Sequence, residues 1–254
     1  MADEDGKMPL TSHLDELRKR LIVCFISVFV GFILSYGFKE RIFTILTKPL
    51  ISVMQEGDKL IYTGLAEAFI TYLKVSLISG IILSVPIIFY QFWMFISPGL
   101  YENEKRLIIP ITFFCSFFFI IGCLFAYFIV FPYGFKFFLG FSSETIKPLL
   151  SMIQYLDFSS QFLLVFGLVF ELPFFITFLA RMGIVSSDFL KKNRRYAILI
   201  IFIVAAILTP PDVVSQSMMA FPLMILYEIS IIGAKIFGKK ESKGTDCESN
   251  QAAG

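Results

Sequence analysis

A chain of 254 residues in which 57% of side chains are hydrophobic and 17% charged, with a mean hydropathy of +0.79, has too little polar surface to cover a water-soluble globule of its size. A net charge of +2 gives no electrostatic footprint for nucleic acid, so none is expected as a partner. What remains is an all-α integral membrane protein, in which the placement of basic residues matters more than their sum.

A helix needs roughly 20 mainly apolar residues to cross a hydrocarbon layer about 30 Å thick. By that measure about six transmembrane helices are predicted, near residues 21–38, 69–96, 107–131, 158–180, 196–208 and 215–232. The first is too long for the apolar core of a signal peptide and is followed by no small-residue cleavage pattern, so it reads as a retained span. Ahead of it, Ser12 to Arg20 reads as an amphipathic helix start, with Ser12 and Asp15 fitting a capping box. Asp15 with Lys19, and Glu16 with Arg20, stand four residues apart and can pair along the helix. A carboxylate there could equally grip an external guanidinium through two hydrogen bonds, which an ammonium does not match.

Lys74 lies about two turns into the second span and is placed to reach the outer interface, near Glu67. Pro86 in the same span and Pro110 at the start of the third predict kinked or curved helices. Between these two spans, Glu102 and Glu104 form a second acidic cluster, in a loop that also carries Lys105 and Arg106. Two acidic clusters on one membrane face suit a ligand with two positive charges. In the fourth span Glu171 stands amid apolar residues, where a charge costs from about 2.5 kcal/mol upward, so a function is its default reading. Pro173 beside it weakens the helix and predicts a bend. The last two spans are predicted to be short, joined by a tight turn around Thr209, Pro210, Pro211 and Asp212.

The positive residues fall mostly on one side of this arrangement. Lys7, Arg18 to Arg20, Lys105, Arg106, Arg181, Lys191, Lys192, Arg194, Arg195, Lys235, Lys239, Lys240 and Lys243 would share one face, against Lys39, Arg41, Lys48, Lys59, Lys136 and Lys147 on the other. With an even number of spans, both termini are expected in the cytoplasm. Residues 1–235 are expected to form one membrane domain and residues 236–254 a polar, disordered cytoplasmic tail. Cys24, Cys115 and Cys123 sit in apolar spans and Cys247 in the tail, which suggests neither a disulfide framework nor a metal site. No repeat, phosphate loop or nucleophile elbow is visible, His13 is the single histidine, and no cofactor or enzymatic activity is expected.

Several ordered stretches together resemble the TatC family, the multi-spanning core of the twin-arginine protein translocase. They are Ser12-His13-Leu14-Asp15-Glu16-Leu17-Arg18-Lys19-Arg20, Tyr90-Gln91-Phe92-Trp93 with Phe95 and Pro98, and Leu100-Tyr101 with Glu104 and Arg106. Phe125-Ala126-Tyr127-Phe128, Phe131-Pro132, Phe166-Gly167, Phe170-Glu171-Leu172-Pro173, Leu208-Thr209-Pro210-Pro211-Asp212-Val213 and Ser215-Gln216 complete the set. The resemblance implies a curved, glove-like bundle that receives twin-arginine signal peptides and helps move folded proteins across the inner membrane, driven by the proton-motive force. It implies that Glu16 and Glu104 contact the paired arginines, with Arg18 and Phe95 at or near that surface. Glu171 would be the polar group facing the concave interior. Asp212 and Gln216 would stand at the outer turn, near where the last two spans meet single-span partners of the TatA and TatB type in an oligomeric complex. The chain departs from the family at Thr63 to Glu67, where many members carry proline, and at Asn103. The competing reading, from Glu171 and the prolines alone, is a proton- or ion-coupled transporter of small solutes, although no paired halves are evident.

Overall fold

The computed structural model describes residues 10–55, 59–62, 64–97, 108–141, 149–209 and 212–238, and they form helices almost throughout. In chain order these are α1 (Leu10–Gly37), α2 (Lys39–Ile51), α3 (Glu67–Ile96), α4 (Ile108–Phe125), α5 (Phe131–Leu139), α6 (Met152–Phe170), α7 (Leu172–Arg181), α8 (Ser187–Lys192), α9 (Arg194–Leu208) and α10 (Val213–Phe237). A five-residue π-helical segment, Ala126–Val130, joins α4 to α5. Among the described residues the β pairing is a single parallel bridge between Ile61 and Ser151.

Among the described residues, five segments are long and apolar enough to cross a membrane: Ser12–Gly37, Glu67–Ile96, Ile108–Leu139, Met152–Arg181 and Val213–Phe237. The fifth predicted span is α9, whose 15 residues reach only about 22 Å. The sixth departs from the expectation that it too is short, because α10 has 25 residues, about 37 Å, and runs to Phe237. The amphipathic start leads without a break into the first span, as expected. Because α1 already includes Leu10, however, Ser12 lies inside the helix and is not its cap.

The two prolines inside composite spans explain their breaks. Pro132 has no N–H to offer the preceding turn, and its ring crowds the carbonyl four residues back; the widened π turn at Ala126–Val130 sits where that crowding falls. Pro173 likewise falls in the first turn of α7, and the span breaks at Glu171, whose N–H bonds Leu168 O three residues back at 3.1 Å.

The packing is antiparallel between neighbours along the chain. Along α1 and α3, His13 meets Phe95, Arg20 meets Gln91, and Gly31 meets Gly80. The two glycines allow the backbones to touch: a Cβ on Gly31 would lie 2.7 Å from Gly80 O, and one on Gly80 would lie 2.5 Å from Phe32 N. Small residues at such crossings are how membrane helices gain contact area when lipid is as apolar as the helix faces. Outward, Phe25, Phe29 and Leu34 of α1 are more than half exposed, as a lipid-facing surface allows.

The core joins α3, α4 and α6, with Trp93, Cys115, Phe119, Phe162 and Phe166 all almost fully enclosed. Trp93 is surrounded by Phe174, Phe175 and Phe178 of α7, with centroids 6.4, 5.6 and 4.7 Å away. At the end of the bundle opposite the α1 N-terminus, α2 covers the core with Leu50, and its carbonyls at Ile45 and Leu46 accept from Tyr127 Oη and Tyr155 Oη at 2.7 and 2.6 Å. That helix occupies a stretch the hydropathy pattern left as a connection.

Candidate functional site

The end of the bundle that carries the start of α1 and the finish of α3 gathers the polar groups of the candidate peptide site. His13, Glu16 and Arg20 are spaced three and four residues apart, which puts them on one stripe of α1. That stripe faces α3. The His13 ring stacks on Phe95, with centroids 4.3 Å apart and planes 19° apart. Arg20 donates from Nε to Glu16 Oε1 at 2.9 Å and from Nη2 to the same oxygen, and its Nη1 donates to Gln91 Oε1 at 3.2 Å. Both members of the ion pair are largely shielded, with side-chain exposures of 20% for Arg20 and 22% for Glu16.

Of the residues expected here, Glu16 and Phe95 are thus brought to one face. Arg18 is exposed and, two positions from Glu16, points about 200° around the helix, away from that group. Glu104 lies outside the described residues. His13, Arg20 and Gln91 were not singled out as site residues. Their signal was present in the spacing of His13 and Arg20 about Glu16, but Gln91 needed the register of α1 on α3.

Glu171 occupies the break between α6 and α7 and is buried, at 2% exposure. Neither carboxyl oxygen has a hydrogen-bond partner, although the Cys115 thiol and the Phe119 backbone lie alongside. Cys115 also neighbours Trp93, whose Nε1 is likewise buried and unpartnered. The side chain therefore lies at the α6–α7 break beside α4, the position expected to face the concave interior. A buried carboxyl without a partner is costly, which sets this position apart from a structural hydrogen bond.

Close by, a groove of about 600 Å³ is lined by Phe114 and Phe118 of α4, Phe174, Phe178 and Arg181 of α7, and Phe237 of α10. Phe174 and Phe178 are also neighbours of Trp93, which links the groove to the end of α3 that carries Phe95.

At the other end of the bundle, Asp212 caps α10 by accepting from Ser215 N at 2.6 Å, and Gln216 Nε2 donates to Phe202 O of α9 at 3.1 Å. Gln216 thereby ties α10 to α9; Pro210 and Pro211 lie outside the described residues. Lys74 has an ion-pair partner across the bundle. It pairs with Asp157 of α6 at 2.7 Å. Glu67 is buried and accepts from Gly64 N at 3.2 Å, Ser151 Oγ at 2.5 Å and Ile153 N at 3.3 Å, pinning the start of α3 to the start of α6.

The family described as Sec-independent protein translocase protein, TatC, matches residues 12–222. The chain belongs to the TatC family. It is 62% identical over 253 residues to a Sec-independent protein translocase protein TatC of Desulforapulum autotrophicum, covering 100% of this chain and 92% of that one. With the TatC of Escherichia coli it shares 40% identity over 237 residues, 93% of this chain and 92% of the other. A crystal structure of a twin arginine translocase receptor, TatC, superposes with a TM-score of 0.80 at 40% identity, covering 89% of this chain and 99% of that one. The all-helical membrane architecture expected of a TatC protein is therefore present, and the chain is a multi-pass membrane component of a protein translocase.

Proposed function

We propose that this TatC protein is the receptor for signal peptides bearing paired arginines and the core of a complex that moves folded proteins across the inner membrane using the proton-motive force. The observation that carries the reading is the cluster at the start of α1, where the shielded Glu16 carboxylate and the His13–Phe95 stack lie on one face. A guanidinium can make two parallel hydrogen bonds to such a carboxylate, and an ammonium cannot match that fork. Glu104 supplies the second carboxylate from the connection after α3. The apolar part of the peptide then lies along the groove walled by Phe114, Phe118 and Phe174, near the buried Glu171. The face of Glu16 and both termini are cytoplasmic, as the clustering of Arg18 to Arg20, Lys191 to Arg195 and Lys235 favours. Single-span partners of the TatA and TatB type pack on the short α9 and on α10, where lipid thins.

The test is photo-crosslinking from a probe at position 16 or 104 to a signal peptide carrying Arg-Arg, compared with the same peptide carrying Lys-Lys. Selective crosslinking to the Arg-Arg peptide is expected. Equal yields from both peptides in membranes holding folded protein would remove the receptor reading.

A further inference from the structure

Glu16 is already occupied. The Arg20 guanidinium one helical turn along α1 places Nε and Nη2 on the single oxygen Oε1, and its third nitrogen is held by Gln91 on α3. With both side chains about four-fifths shielded, this pair is screened less than an exposed pair on a helix surface. Yet two nitrogens sharing one oxygen fall short of the fork in which a guanidinium engages both carboxylate oxygens. A free guanidinium approaching Glu16 can make the better contact.

We propose that Arg20 is an internal competitor for Glu16, a resident guanidinium in the seat that a signal-peptide arginine takes, and that it sets the affinity threshold of the receptor. This inference rests on the reading of Glu16 as an arginine contact. Docking is then an exchange: the incoming guanidinium replaces Arg20 on Glu16, and Arg20 stays anchored by Gln91. Two consequences distinguish a competitor from a residue that merely positions Glu16. Because the competent state is only partly populated, every cationic peptide loses the same factor in apparent affinity, so the ratio between two peptides is preserved when the competitor is removed. And because one guanidinium replaces another, the number of charge pairs at Glu16 does not change on binding, which makes the contribution of this contact to the salt dependence small.

The experiment measures binding of labelled Arg-Arg and Lys-Lys signal peptides to the purified full chain in nanodiscs, across ionic strength, for the parent protein, Arg20→Gln, Arg20→Lys and Glu16→Gln. Arg20→Gln is expected to bind both peptides roughly three- to tenfold more tightly, with their ratio unchanged and a steeper salt dependence. Arg20→Lys, with a single ammonium in the seat, is expected to fall between the two and carries the test if the glutamine variant does not fold. Weaker or unchanged binding by the Arg20 variants, while Glu16→Gln loses affinity, overturns the competitor and leaves Arg20 as a positioning residue. Indifference of binding to Glu16→Gln removes the reading of Glu16 itself, and the competitor falls with it.

Discussion

Glu67 and Glu171 are the same residue type, both buried, and they behave as opposites. Glu67 accepts three hydrogen bonds from the backbone and a hydroxyl, so its burial stabilises one end of the fold. Glu171 accepts none, so the fold bears its cost without an evident structural return. Replacing it with leucine removes an unsatisfied group at little change in volume, and such changes are often neutral or stabilising. Glu171→Leu is therefore expected to keep or raise the melting temperature of the purified protein and to retain signal-peptide binding, while export of a folded reporter falls. Normal export by this variant would return Glu171 to a packing role. The importance of Glu171 was legible in the sequence, since few causes place a carboxylate in an apolar span. Its burial was not, because the groups beside it, the Cys115 thiol and the Phe119 backbone, come from another helix.

At the scale of the helices, the crossing of α1 on α3 positions the candidate site. The pair Gly31 and Gly80 brings the backbones into contact about midway along, and the same register places His13 against Phe95 and Arg20 against Gln91. Gly80→Val inserts atoms where a Cβ already meets Phe32 N, with overpacking costs of about 1–3 kcal/mol. The variant is expected to separate the helices, lower the melting temperature and weaken peptide binding, although no peptide contact is altered. Unchanged binding in a destabilised Gly80→Val protein would show that the site does not depend on this crossing. The lengths of the last two helices were only partly readable. The hydropathy pattern found α9 short, but it ended α10 too early, because Lys235 interrupts the apolar run without ending the helix. The helix α2 was missed since its mixed charged and apolar composition, Lys39 to Ile51, reads as a loop until the tyrosines that anchor it are known.

For the whole molecule, the proposed orientation rests on the asymmetry of basic residues, and it can be checked directly. In a cysteine-free background, Leu149→Cys and Lys19→Cys place thiols at opposite ends of the bundle on exposed positions. With both termini cytoplasmic, an impermeant maleimide is expected to label position 149 in intact spheroplasts and position 19 only after the membrane is opened. The reverse pattern would invert the topology and place the Glu16 face away from any cytoplasmic cargo.

Class and the location of costly polar groups follow from the sequence alone, because the bilayer reads each segment independently by length and polarity. Family membership was legible for a related reason, since its ordered motifs cluster at helix ends and breaks such as Pro132 and Glu171, where local chemistry constrains the residue. Pairings between helices were decided only by the tertiary structure. Lys74 finds Asp157, Arg20 joins Glu16 to Gln91, and Glu171 is buried beside α4. In lipid an apolar face is equally satisfied on any side, so hydrophobic pattern does not choose a helix's neighbours; close packing and a few polar contacts do, and those exist only once the helices have met.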